Sequence, residues 1–258
     1  MDASTTGSSA LHERVIESIG ADIASGRLAP GSRILTTEVA ERFGVSRSAM
    51  REVVRVLESM GLVEVRRRAG VEILPRARWN PYSTRLLRWR LAGPDRVETL
   101  HALSQLRSAI EPLAARLAAA NATPEQRTAL VTAVAGMTER AREADESPYL
   151  EHDIAFHAAV LDASGNPFLA ALGPVVGEVL RGRTAHALMP HEANPTALRL
   201  HQEVAFAVTE GRADDAERAL AAIVTEADQA VQAVVAVGPR DDAAVDIGDT
   251  RDDEEATR

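Results

Sequence analysis

The chain has 258 residues, 45% hydrophobic and 26% charged, enough apolar material for two cored domains, and it holds no cysteine, which excludes a disulfide framework, thiolate metal sites and a cysteine nucleophile. The opening residues lack a signal-peptide pattern and no apolar run is long enough to span a bilayer, so a cytoplasmic protein is expected. The net charge of −9 argues against nucleic acid only if it is averaged over the chain: residues 1–78 carry two more basic than acidic side chains, and the remainder eleven more acidic than basic.

Residues 1–9 are small and polar and are expected to form a disordered head. Val15, Ile16, Ile19 and Ile23 then recur at helical spacing within a helix from Leu11 to Gly26. After the Pro30-Gly31 turn comes a short helix, Thr37 to Phe43, and a tight turn at Gly44. A second helix runs from Ser46 to Met60. Two β-rich pieces, Leu62 to Val65 and Val71 to Leu74, flank Arg66-Arg67-Arg68 and form a hairpin with a basic tip. Residues 10–75 thus read as a winged helix-turn-helix domain. Residues 76–94 read as a linker, where Trp79, Tyr82 and Trp89 serve either an interdomain or dimer contact or ordinary packing. From 95 to 238 only helices are expected, at about 95–120, 124–145, 148–163, 167–188, 195–210 and 212–236, broken by Pro and Gly. Residues 239–258 form an acidic, disordered tail. The fold class is mainly α: a winged helix-turn-helix followed by an antiparallel helical bundle.

In the helix-turn-helix, Val39, Ala40, Phe43, Val45, Met50, Val53, Val54 and Leu57 supply the buried face, and Ser46 is placed to cap the second helix. Its first turn carries Arg47, Ser48 and Arg51, which the core does not need. An Arg fork can chelate a guanine edge, hydroxyls can meet bases or phosphates, and a helix N-terminus favours phosphate. The arginine tip suits a wing lying across the backbone. The alternative is a solvated charged face.

The run LAPGSRILTTEVAERFGVSRSAMREVVRVLESMGLVEV resembles the winged-helix domain of the GntR family: Gly44-Val45-Ser46-Arg47, then Arg51, then Gly61-Leu62-Val63. The resemblance implies DNA contacts by Thr37, Ser46, Arg47, Ser48 and Arg51, with Arg67 and Arg68 on the wing. Many members have Thr-Pro or Thr-Thr where this chain has Ser48-Ala49, which bears on base preference.

In the second domain, Asp153 and His157 stand at i and i+4 on one helix face, and His201 opens a later helix. A carboxylate and two imidazoles suit zinc, nickel, manganese or iron. A hydrogen-bonded Asp–His pair inside a bundle fits the spacing as well. LRSAIEPLAARLAA, DIAFHAAVLDASGNPFL and HQEVAFAVTEGRADDAERAL resemble the sensor (FCD) domain of FadR-type GntR regulators, over nearly all of Leu100 to Val231. The resemblance implies a divalent cation on one Asp and three His that helps to grip a carboxylate effector. Asp153, His157 and His201 match three ligands; the fourth falls at Ile223, which cannot ligate. Arg107 matches an inward position, where it can meet an effector carboxylate or simply bridge helices. The linker RARWNPYSTRLLRWRLAGP is similar to that of galactonate- and gluconate-type regulators, which read sugar acids.

These readings converge on a homodimeric regulator, in the repressor direction more common in the family. It would bind a palindromic double-stranded operator and respond to a small carboxylate. The competing readings are a metal-independent regulator of another organic acid, a ligand-free architectural DNA-binding protein, and a metal-dependent enzyme on a DNA-binding head. The chain holds no G-x-S-x-G, no H-E-x-x-H and no Gly-rich phosphate loop, so no enzyme is expected.

Overall fold

The computed structural model describes residues 3–66, 70–141, 146–184 and 195–237. Helix α1 (Ala3–Ala24) packs on α3 (Arg47–Ser59), with α2 (Thr36–Phe43) beside it. A small antiparallel sheet follows, β1 (Arg33–Ile34), β2 (Val63–Arg66) and β3 (Gly70–Ile73), in the order β1-β3-β2. Its register pairs Ile34 with Val71 and Val63 with Ile73. The core under it is Val15, Ile16, Ile19 and Ile23 of α1 against Met50, Val53 and Leu57 of α3. Local chemistry marks the ends of the helix-turn-helix. Gly44 takes φ +65°, which ends α2 without a Cβ penalty, and the Ser46 hydroxyl accepts the Ala49 N–H at 3.2 Å to cap α3. Val39, Phe43 and Val45 are only half-buried against this core.

The second domain is a bundle of α5 (Arg96–Asn121), α6 (Pro124–Arg140), α7 (Glu146–Ala163), α8 (Pro167–Ala170), α9 (Gly173–Thr184), α10 (Pro195–Thr209) and α11 (Ala213–Val237). Ala114, Ala115, Ala118 and Ala119 are fully or nearly fully buried along α5, and these small residues let α11 lie close against it. The wider spaces are filled by Leu130, Met137, Phe156, Leu161 and Leu220. Thr123 opens α6 with a capping box closed by Gln126.

Four expectations change. Helix α1 begins at Ala3, inside the stretch read as a disordered head; its first turns have no apolar stripe to signal a helix. The sheet gains β1, too short at two residues to show an alternating pattern. The helix expected at 167–188 is two, because the chain turns at Ala171-Leu172; Asn166 caps the first by accepting the Phe168 N–H. The linker holds a full helix, α4 (Thr84–Ala92), capped by Ser83. Helix α4 is buried on two sides: Leu86 and Trp89 enter the core of the DNA head, while Leu87 and Leu91 pack with Val175 and Val179 of α9. Two-sided burial leaves no single apolar stripe, so periodicity is silent there. Trp79 and Trp89 are therefore buried packing anchors, and Tyr82 is exposed. The acidic tail 239–258 lies outside the described residues.

Candidate functional site

Two constellations carry chemistry. On the DNA head, Arg47, Arg51 and Arg55 stand at i, i+4 and i+8 and form one edge of a groove of about 610 Å³. Thr36 and Thr37 supply the other edge, at the start of α2, and Ala40, Met50, Val54 and Val71 form an apolar floor. Thr37, Ser46, Arg47, Ser48 and Arg51 are all exposed. Ser46 spends its hydroxyl on the cap and on Ser48, at 2.9 Å. Among the described residues Arg47 and Arg51 have no ion-pair partner, whereas Arg55 is tied to Glu52. At the wing, Arg66 pairs with Glu64 at 2.9 Å and Glu72 at 3.3 Å, so its charge is largely compensated; Arg67 and Arg68 lie outside the described residues. The Glu58 carboxylate accepts the Val65 N–H and pins the wing to the recognition helix.

The second constellation is a polar cluster inside the bundle. Asp153 and His157 come from α7 and His201 from α10, all three buried, with their candidate ligand atoms within 4.8 Å of one another. Asp153 Oδ1 lies 3.1 Å from His201 Nε2 and 3.4 Å from His157 Nε2. The other nitrogen of each ring faces an acceptor: His201 Nδ1 is 2.7 Å from the Ala197 carbonyl, and His157 Nδ1 is 2.6 Å from Glu111 Oε2. Protons on both Nδ1 atoms would leave two Nε2 lone pairs converging on a carboxylate oxygen. Asp153 Oδ1 and His201 Nε2 have no hydrogen-bond partner. Acceptors facing acceptors in a buried site call for a cation between them, a proton or a metal, so the donor set fits a divalent ion. Ile223, at the expected fourth-ligand position, is buried in the hydrophobic core.

Glu111 and Arg183 are parts of this cluster that the sequence reading missed. Arg107 and Glu111 are 2% and 1% exposed and form a two-point pair on α5, at 2.6 and 3.4 Å. Arg107 therefore has much of its donor capacity taken by a neighbour one turn away, and its NH2 also reaches to 3.4 Å from His157 Nε2. The i, i+4 spacing of an Arg and a Glu was the available signal. Burial alone would raise the Glu111 carboxyl, but the Arg107 charge and then His157 hold it at about 2. Burial acts the same way on Asp153, and the close His157 and His201 rings outweigh it, well below the usual carboxylate range. The His157 ring is opposed by burial yet raised on balance, by Glu111 first and Asp153 next. Arg183 of α9 is pushed down to about 10, by burial and then by Arg107.

A pH dependence follows. A raised His157 stabilises the fold most fully below its ordinary value of 6.5, and that contribution is lost as pH rises through the raised value. With chelator present, thermal stability should fall between about pH 6 and about pH 8.5. With zinc the trend should reverse, because metal requires both rings deprotonated. Melting curves at the two pH values, each with chelator and with zinc, test this; identical slopes in both media would remove the His157 cluster as the cause.

Known proteins agree with this architecture. The model for the gntR family of bacterial regulatory proteins matches residues 11–73, and that for the FCD domain matches residues 102–226. The galactonate operon transcriptional repressor of Escherichia coli (strain K12) is 32% identical over 209 residues, covering 80% of this chain and 90% of that protein. The HTH-type regulator LutR of Bacillus subtilis (strain 168) is also 32% identical over 209 residues, covering 79% and 93%. The solved structure of Lar, which controls expression of the Listeria monocytogenes agr system, superposes with a TM-score of 0.55 at 15% identity, covering 86% of this chain and 97% of that one; that likeness concerns the fold alone. Among the described residues no helix is long and apolar enough to cross a membrane. With a winged helix-turn-helix joined to an all-helical FCD domain, this chain belongs to the GntR family of bacterial regulatory proteins, as a DNA-binding transcription regulator and not an enzyme.

Proposed function

We propose that the chain is a cytoplasmic, homodimeric repressor whose operator affinity is set by a small carboxylate, of the sugar-acid class, bound in the helical domain. The observation that carries this reading is the buried convergence of Asp153, His157 and His201 beside the guanidinium of Arg183. A packed core has no need of such a group, whereas an anionic, hydroxyl-bearing ligand would use all of it. The galactonate operon repressor among its relatives supports the sugar-acid class. Asp153, His157 and His201 would hold the divalent cation, zinc, nickel or manganese. The cation would supply a positive centre for carboxylate and hydroxyl oxygens.

On the DNA side, Thr37, Ser46, Arg47, Ser48 and Arg51 would meet the major groove, with Arg67 and Arg68 at the wing. One recognition helix makes few contacts. Two, about one helical turn apart on a palindrome, make a specific site. Effector binding then acts through its different affinity for two arrangements of the heads, with a coupling of about 1–3 kcal/mol.

A second reading has its own observation. Ile223 removes one ligand, and Arg107 NH2 already places a cation 3.4 Å from His157 Nε2, so the acid could be read without metal. One experiment separates the two: thermal shift with D-galactonate, D-gluconate, L-lactate and pyruvate, each with chelator and with added zinc. Stabilisation by a sugar acid only with zinc supports the metal-assisted form, and stabilisation indifferent to chelator supports the second. No shift from either sugar acid in any medium overturns the sugar-acid reading.

A further inference from the structure

Arg183 lies in the last turn of α9 and is 7% exposed. Its Nε has no hydrogen-bond partner, and among the described residues no carboxylate comes within ion-pair reach of its guanidinium. The charges that act on it are Arg107, which repels it, and Asp153, Glu226 and Glu111, which attract it. Arg107, in the same cluster, is by contrast paired at two points with Glu111. A buried cation without a partner is costly, and it persists where something outside the chain completes it. The cation belongs to a planar fork of donors, whose natural complement is a carboxylate bound through both oxygens.

The neighbouring groups narrow the ligand. Arg107 and Glu111 cancel, and Asp153 faces the two histidines. Arg183 is the cation of the cluster that no described carboxylate pairs with, so a carboxylate from outside the chain is its complement. The Asp153–His157–His201 side offers acceptors and donors for hydroxyl groups.

We propose that Arg183 is the anion anchor of the effector site: it grips the carboxylate of a hydroxylated monocarboxylic acid whose hydroxyls face Asp153, His157 and His201. This rests on the effector reading above. The test compares wild type, Arg183→Gln and Arg183→Lys by calorimetric titration with D-galactonate and with galactitol, a neutral polyol of the same chain length. Melting temperatures are measured without ligand.

Wild type should bind galactonate and ignore galactitol. Arg183→Gln should lose roughly 100-fold in galactonate affinity, and with it the preference for acid over polyol. Arg183→Lys should recover part of the loss. The ligand-free Arg183→Gln protein should melt higher than wild type, since an unpaired buried charge has gone. That is the opposite of what removing a structural arginine does. Galactonate affinity unchanged in Arg183→Gln, or a lower ligand-free melting temperature, overturns the anchor alone. A wild type that responds to none of the acids overturns the effector reading and the anchor with it.

Discussion

Glu111→Ala should cost about 3–5 kcal/mol of stability, the range for removing one partner of a buried ion pair. The loss arises less from the missing attraction than from what stays behind. Arg107, 2% exposed, keeps its charge with only Asp153 acting to compensate it. His157 Nδ1 loses the acceptor at 2.6 Å as well. For a chain of this length each kcal/mol corresponds to about 2–4 °C in melting temperature, so a drop of about 6–20 °C is expected. Replacing both partners, Arg107→Met with Glu111→Leu, should restore most of it, because no buried charge is then orphaned. Urea unfolding of the single and double variants measures the difference. A double variant as unstable as Glu111→Ala would mean that the pair's shape, not its charge balance, is what the bundle requires.

Trp89→Ala should cost about 3–5 kcal/mol, the usual range for emptying a buried aromatic site. The Trp89 ring lies over Gly20 of α1, where a Cβ would fall 2.1 Å from it, and its Nε1 donates to Glu17 Oε2 at 2.5 Å. Gly20→Ala is disruptive for the reverse reason, since it forces a methyl into the ring. The two substitutions should not add: with the indole gone, the methyl has room, and the double variant should be less unstable than the sum of the singles. Strict additivity in denaturant unfolding would show that the two sites do not share this contact.

The helix-turn-helix was legible because each of its features is local. A glycine where left-handed backbone is needed, a serine one residue before the helix and apolar residues at helical spacing all act within a few positions. The Asp153–His157 half of the polar cluster was legible for the same reason, one turn of one helix. His201, on a later helix, was a candidate to close it and also matched a ligand by resemblance, and the structure brings the three together. Glu111 was overlooked although it sits one turn from Arg107, because a Glu followed by Pro112 on an alanine-rich helix looks like a solvated position. Arg183 gave no signal: what distinguishes it is the lack of a partner, a property of the packed bundle rather than of any spacing. Helix α4 escaped because hydrophobic periodicity reports one covered face, and α4 has two.

That shared helix decides where this regulator can be cut and rejoined. Residues 76–94 look like an interchangeable joint, yet Leu86 and Trp89 complete the core of the head while Leu87 and Leu91 complete the wall of the bundle. Arg88 reaches Glu178 on one side, and Arg85 reaches Glu13 on the other. A hybrid spliced at residue 75 would hand the head a foreign α4 whose ring must fit over Gly20. One spliced at Gly93 would hand the bundle a foreign Leu87 and Leu91. Neither seam is neutral, so specificities are best exchanged among relatives by grafting the recognition-helix surface alone and leaving α4 with both of its hosts.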